Sequence, residues 1–282
     1  MFSSLVTTDI LAEHLNDPGW ILIDCRFDLQ SPDWGWEDYQ KNHIPGAVYA
    51  RLDHSLSSPV TSSTGRHPLP IPAKLIKTFS TWGIDATKQV VVYDTVGGSF
   101  AARLWWLLRY YGHTRVAVLD GSFPKWITEH RPTRNGIENH APAIFVGTPD
   151  PSMVADAEVV NSIRQNTAHR LIDARNQNRF LGINEPVDAV AGRIPGAVNR
   201  FHGLNLNDNG TFLSPEDLRI GFEGILGSVK PEHVIVYCGS GVTSCHHLLA
   251  MEYIGMKGAR LYPGSWSEWI RDPDRPRGSG PE

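Results

Sequence analysis

Cys238 has the residue types around it that a sulfur nucleophile needs. It closes the β-branched and aromatic run Val234-Ile235-Val236-Tyr237, which reads as a buried strand, and it opens Gly239-Ser240-Gly241-Val242-Thr243. That loop feeds a helix-compatible stretch from Thr243 to Met251. A loop that curls into a helix N-terminus turns several backbone N–H groups inward and makes a cradle for negative charge. The charge here is the sulfur. A thiol of ordinary pKa is only about 3% ionised at pH 7, and lowering that pKa to roughly 6.5 makes most of it nucleophilic. Gly239 and Gly241 let the backbone approach both the sulfur and whatever is transferred onto it. A lone buried cysteine is more often a small hydrophobe than a nucleophile, so the loop and not the cysteine carries this reading.

Other chemistries fit less well. A cysteine phosphatase needs an arginine six residues after its cysteine, where this chain has Ser244. Cys245, His246 and His247 are adjacent on a helix and point in different directions; Cys245 is read as core packing, or as a redox partner of Cys238. Gly239-Ser240-Gly241 lacks the third glycine of a dinucleotide fingerprint. No His/Cys/Asp/Glu cluster has metal spacing, and no cofactor is implied.

The elements that would hold Cys238 occur twice. Leu22-Ile23-Asp24-Cys25-Arg26 and His43-Ile44-Pro45-Gly46-Ala47 return as Leu171-Ile172-Asp173-Ala174-Arg175 and Arg193-Ile194-Pro195-Gly196-Ala197, with offsets of 149 for the aspartates and 150 for the prolines. Val91-Val92-Tyr93-Asp94 answers Ile235-Val236-Tyr237-Cys238 at 144, and Asp120-Gly121 and Trp126 answer Pro263-Gly264 and Trp269 at 143. One deletion of about six residues accounts for most of the drift, which marks a duplicated domain. Each copy reads as strands alternating with helices: an α/β fold of two tandem domains, each an open, mainly parallel sheet covered on both faces. The expected division is an N-terminal copy at 1–135, a linker at 136–152 in a polar, proline-containing stretch, a C-terminal copy at 153–270 and a loosely ordered tail at 271–282. Ligands of such sheets bind beyond the carboxyl ends of the strands, where Cys238 falls. The first copy has Asp94 there, which cannot carry sulfur, so that copy is expected to be catalytically silent and to wall a cleft between the domains.

Composition bounds the rest. The chain has 282 residues, 41% apolar and 20% charged, the balance of an ordinary soluble protein with ample core. A net charge of −4 supplies no basic field for nucleic acid or anionic membrane. Three cysteines form no even disulfide framework, and no membrane-length apolar run or signal-like segment is visible; the expected location is cytoplasmic. Most of the nine tryptophans, Trp105 and Trp106 among them, are expected in the core.

These motifs together resemble the tandem-rhodanese sulfurtransferases over nearly the whole chain. Cys238-Gly239-Ser240-Gly241-Val242-Thr243 is similar to the loop of the 3-mercaptopyruvate branch; the thiosulfate branch usually has Arg and Lys in place of Gly239 and Ser240. Ala259 to Trp269 matches the C-terminal pattern, and Tyr39 with His43-Ile44-Pro45-Gly46-Ala47 most of the N-terminal one.

The resemblance implies a double displacement. Cys238 takes the outer sulfur of a donor as a persulfide, Gly239, Ser240, Gly241, Val242 and Thr243 bind it through backbone donors, and a thiol, thioredoxin or cyanide removes it. Arg179, in Asn178-Arg179-Phe180-Leu181-Gly182, matches the substrate-binding arginine. A proton relay of the kind proposed for the 3-mercaptopyruvate enzymes would use Ser240, His43 and Asp33. The chain departs from the pattern where a second arginine follows Glu-Pro: Glu185-Pro186 is followed here by Val187. Arg193 is either a compensating cation or a surface residue. The neutral Gly239-Ser240 pair favours 3-mercaptopyruvate over the thiosulfate dianion. Thiosulfate:cyanide transfer, and a persulfide carrier without small-molecule turnover, are the alternatives.

Overall fold

A computed structural model describes residues 1–281. It separates into two units, each built on its own parallel sheet. Residues 1–58, 69–150 and 206–212 form the first; residues 59–68, 151–205 and 213–281 form the second.

In the first unit β1 (Leu5–Val6), β2 (Trp20–Asp24), β3 (Ala47–Tyr49), β4 (Gln89–Tyr93) and β5 (Val116–Leu119) lie in the order β1-β5-β4-β2-β3. All the pairings are parallel, with Ile21 opposite Val90 and Ile23 opposite Val92. Parallel strands need cover on both faces, which is why β4 is buried at every position and carries no polar alternation. The helices are α1 (Thr8–Glu13), α2 (Trp34–Lys41), α3 (Leu52–Ser55), α4 (Pro72–Thr81), α5 (Ala101–Tyr110) and α6 (Ser122–Thr128). Trp105 and Trp106 lie buried on α5, as their place in an apolar helix requires.

The second unit repeats the plan. Its sheet runs β7 (Ala197–Asn199), β6 (Arg170–Asp173), β8 (Val234–Tyr237), β9 (Arg260–Leu261), again parallel throughout. A parallel bridge between Val154 and Leu261 takes the place that β1 and β5 fill in the first unit. Around it stand α7 (Ala157–Ile163), α8 (Gln177–Leu181), α9 (Pro215–Leu226), α10 (Ser244–Tyr253) and α11 (Ser265–Trp269). Asp156 caps α7 and Asn176 caps α8, each through a side-chain oxygen that accepts an amide of the first turn. Leu171, Ile194, Ile235, Tyr237, Trp266 and Trp269 pack in its core.

The final residues correct an expectation. Composition suggested a loosely ordered tail from 271, yet Gly278 forms a two-way antiparallel bridge with Arg193 (2.8 and 3.0 Å), and Gly280 N–H donates to the Leu181 carbonyl at 2.7 Å. The first unit has the same clasp. Arg134 bridges His43 there, and Trp126 Nε1 donates to Pro132 as Trp269 Nε1 donates to Pro276. A repeated backbone pairing holds the segment regardless of its proline and charge content. Arg193 is buried and not on the surface. Its guanidinium lies over the Phe180 ring and donates to the Gly280 carbonyl at 2.7 Å, so it serves this clasp.

Among the described residues, no helix is long and apolar enough to cross a membrane.

Candidate active site

Cys238 follows the last residue of β8, at the carboxyl end of the sheet, and only 2% of it is exposed. Its backbone is pinned from α11: the Ser265 hydroxyl accepts the Cys238 amide at 3.1 Å, while the Trp266 and Ser267 amides donate to the carbonyls of Cys238 and Gly239. Gly241 turns the loop at φ +74°, and a Cβ there would meet the Pro263 carbonyl oxygen at 2.3 Å, so only glycine fits. Ten residues of α10 then run away from the loop, their first eight buried.

Burial alone would push the Cys238 thiol up. The Thr243 hydroxyl, the Ser240 amide, and the hydroxyl and amide of Ser244 all favour the charged sulfur, and together they bring its pKa below the ordinary thiol value. Ser244 Oγ is buried and makes no hydrogen bond of ordinary geometry with any protein group, so its influence on the sulfur is that of a nearby dipole.

The first unit has the same cradle with a different occupant. One oxygen of Asp94 accepts the amides of Val96 and Gly98 (2.8 and 2.9 Å), and the other accepts those of Phe100 and Ala101 (2.8 and 3.1 Å). The Ser122 hydroxyl donates to Asp94 at 3.1 Å. Val96 and Phe100 precede Ser240 and Ser244 by 144 residues, as Asp94 precedes Cys238. The amides at these two positions thus point at a carboxylate in one copy and at a sulfur in the other.

Arg179, on α8, stands over this loop. Its Nε donates to both oxygens of Glu185 at 2.9 Å, and its Nη2 donates to Asp188 at 2.8 Å. Further in, Arg175 holds Asp173 at 2.6 Å and reaches Glu185 at 3.3 Å. Arg26 and Asp24 form the same buried pair in the first unit, the mark of a structural role.

The relay expectation is corrected. His43 is fully buried in the first unit; its Nδ1 lies 2.7 Å from the Tyr39 carbonyl and its ring stacks on Tyr39. That ring is held by the turn beside it, which explains why the motif adjacency was misleading. Asp33 is a surface residue paired with Arg51 at 2.7 Å. The histidine at Ser240 is His67, whose Nδ1 lies 2.8 Å from the Ser240 hydroxyl with both groups buried. His67 and its neighbour Arg66 belong to the 59–68 segment, which packs in the second unit although it lies between elements of the first. Sequence reading missed both, since Gly65-Arg66-His67-Pro68 follows a Ser/Thr-rich stretch without periodicity. The available signal was an Arg-His pair held between a glycine and a proline.

Cys245 is fully buried on α10 with its thiol 3.4 Å from the Gly241 carbonyl, and no disulfide joins the cysteines among the described residues. Among the described residues no cluster of three or more potential metal ligands exists.

The rhodanese-like domain model matches residues 7–129 and 156–272. The chain belongs to the tandem rhodanese-like sulfurtransferases. It is 44% identical over 280 residues to the probable 3-mercaptopyruvate sulfurtransferase of Pseudomonas aeruginosa, covering 99% of both chains. It is 32% identical to the thiosulfate sulfurtransferase of Cricetulus griseus over 96% of this chain and 93% of that one. Among solved structures, the 3-mercaptopyruvate sulfurtransferase from Leishmania major superposes with a TM-score of 0.83 at 28% identity, covering 95% of this chain and 74% of that one. These sulfurtransferase relatives make the chain an enzyme that moves sulfur between small-molecule donors and acceptors.

Proposed function

We propose that Cys238 accepts the sulfur of 3-mercaptopyruvate as a persulfide and passes it to a thiol, thioredoxin or cyanide, in the cytoplasm. The observation that carries this is the cradle around its sulfur, whose donors outweigh the burial that would otherwise keep the thiol protonated. Three cysteines with no disulfide among the described residues fit a reducing compartment.

In the first half-reaction the Cys238 thiolate attacks the donor sulfur and an S–S bond forms. The C–S bond breaks and its electron pair goes to the enolate carbon of the departing pyruvate. The proton released by the donor thiol ends on that carbon, so the step balances without an oxidant. In the second half-reaction the acceptor attacks the outer sulfur, the S–S bond breaks, and the thiolate returns. The cradle stabilises negative sulfur before and after transfer, which is electrostatic preorganisation.

Two features favour the keto-acid donor. Arg179 places a guanidinium beside Gly239, and with Nε on Glu185 and Nη2 on Asp188 its Nη1 is the donor left to meet a carboxylate. The Ser240–His67 pair gives a route for the proton that the leaving enolate requires. Thiosulfate releases sulfite, a stable anion that needs no such proton. Val187 after Glu185-Pro186 and the thiosulfate sulfurtransferase relative keep thiosulfate as the second reading. A persulfide carrier without turnover is the third.

Incubating the purified protein with each donor and weighing it intact tests the proposal. Addition of one sulfur, stoichiometric release of pyruvate, and loss of both in Cys238→Ser are expected. Rapid thiocyanate formation from thiosulfate with slow pyruvate release would favour the second reading, and sulfur passage between proteins alone the third.

A further inference from the structure

We propose that Arg66 is a second donor-holding guanidinium of this site, supplied by the 59–68 segment and set at a fixed distance from Arg179 by Asp188. The choice of a carboxylate-bearing donor rests on the sulfur-transfer reading above; the anion site itself does not.

Asp188 is 3% exposed and bridges the two cations. One oxygen accepts Arg66 Nη1 at 2.5 Å and the other accepts Arg179 Nη2 at 2.8 Å. Both guanidiniums therefore face Gly239, next to the sulfur. A Cβ at Gly239 would meet Arg66 Nη2 at 2.9 Å and Arg179 Nη2 and Nη1 at 3.4 and 3.6 Å. The glycine thus lets two planar cations close onto the loop where a side chain would push Arg66 away.

Arg66 has capacity left for a ligand. Its buried Nε has no hydrogen-bond partner, and Asp188 takes up only Nη1. A buried, unpartnered donor of a cation is costly unless something fills it, and a small carboxylate is the right size and charge. A cavity of about 470 Å³ opens beside Arg66, Asp188, Val187 and Val190 and gives a ligand access to Arg66, although Cys238, Gly239 and Arg179 do not line it.

The segment is built to deliver this side chain. The Arg66 amide donates to the Ser267 hydroxyl at 2.9 Å, and Gly65 permits the approach, because a Cβ there would meet the Gly264 carbonyl oxygen at 2.4 Å. Position 187 follows Glu-Pro and holds valine, without charge. Arg66 brings the second cation by another route, from a part of the chain 121 residues earlier.

The test compares alkylation of Cys238 by iodoacetate, an anion, and iodoacetamide, its neutral analogue, in the reduced full-length protein, with the modified peptide identified by mass. Arg66→Gln should slow iodoacetate about tenfold or more, the weight of one charged hydrogen-bonding contact, and change iodoacetamide less than about twofold. Arg66→Lys should restore part of the iodoacetate rate, since it keeps charge and loses the fork. In turnover, Arg66→Gln should raise the donor KM about tenfold with kcat within about threefold. Equal changes in the two alkylation rates, or none, would show that Arg66 only braces Asp188 and would overturn the proposal. Selective loss of the iodoacetate rate in a protein whose wild type forms no persulfide with either donor would sustain Arg66 as an anion holder and remove the sulfur-transfer reading instead.

Discussion

At the scale of single residues, the position of Cys238 was legible because a strand, two glycines and a helix leave one place where a sulfur meets inward amides. Its reactivity should follow that geometry. The pKa lies below the ordinary thiol value, so the rate of iodoacetamide alkylation should rise with pH and level off at a lower pH than for a free cysteine measured alongside. The linked stability has the matching sign: it is present above the thiol pKa of the unfolded chain and is lost as pH falls through the lower folded value. Cys245→Ser should retain most turnover, since that thiol is buried against the Gly241 carbonyl. The histidine was not legible, because motif adjacency pointed to His43 while His67 comes from a segment without pattern. His67→Gln should lower kcat for 3-mercaptopyruvate by about a hundredfold or more while affecting thiosulfate far less, as proton transfer matters only to the first. Comparable losses on both donors would make His67 a structural partner of Ser240. His43→Gln should reduce the melting temperature and leave the ratio of the two donor activities unchanged.

At the scale of elements, the strand–loop–helix unit is informative because the chain contains it twice. The central strands were readable from unbroken apolar runs, since a parallel strand buried on both faces has no alternation to blur it. The shortest pieces were not: β9 has two residues, too few for any period to appear. Asp94 shows what the loop demands, for it takes four amides and a hydroxyl on one carboxylate. Asp94→Asn keeps the shape but turns an acceptor into a donor facing donors. It should destabilise the protein by about 2–3 kcal/mol in denaturant titration, the cost of disrupting hydrogen bonds to a buried charged group. A change below about 0.5 kcal/mol would mean that the loop keeps its form without an anion.

At the scale of the whole molecule, the duplication was visible in the spacing of the Ile-Pro-Gly-Ala turns and the tryptophans. The passage of 59–68 and 206–212 into the opposite units was not, because neighbours in sequence give no hint that a segment leaves its own copy. The alternating charges running from Asp173 through Arg175, Glu185, Arg179 and Asp188 to Arg66 were also hidden, being contacts made only in the folded chain. Removing the innermost carboxylate should be costly. Asp173→Ala leaves a guanidinium that is 1% exposed with only its longer contact to Glu185 as charge partner and should cost about 3–5 kcal/mol by chemical denaturation, whereas Asp33→Ala, at an exposed pair, should cost less than about 1 kcal/mol.

The course of residues 59–68 has one more implication. A chain divided between its two repeats would not yield one inert half and one complete enzyme. The downstream piece would keep the sulfur and its amides but lack Arg66 and His67, while the upstream piece would carry them with nothing to serve. Neither repeat is a self-contained cartridge, and any fusion, permutation or graft of this enzyme has to move those ten residues with the distal half.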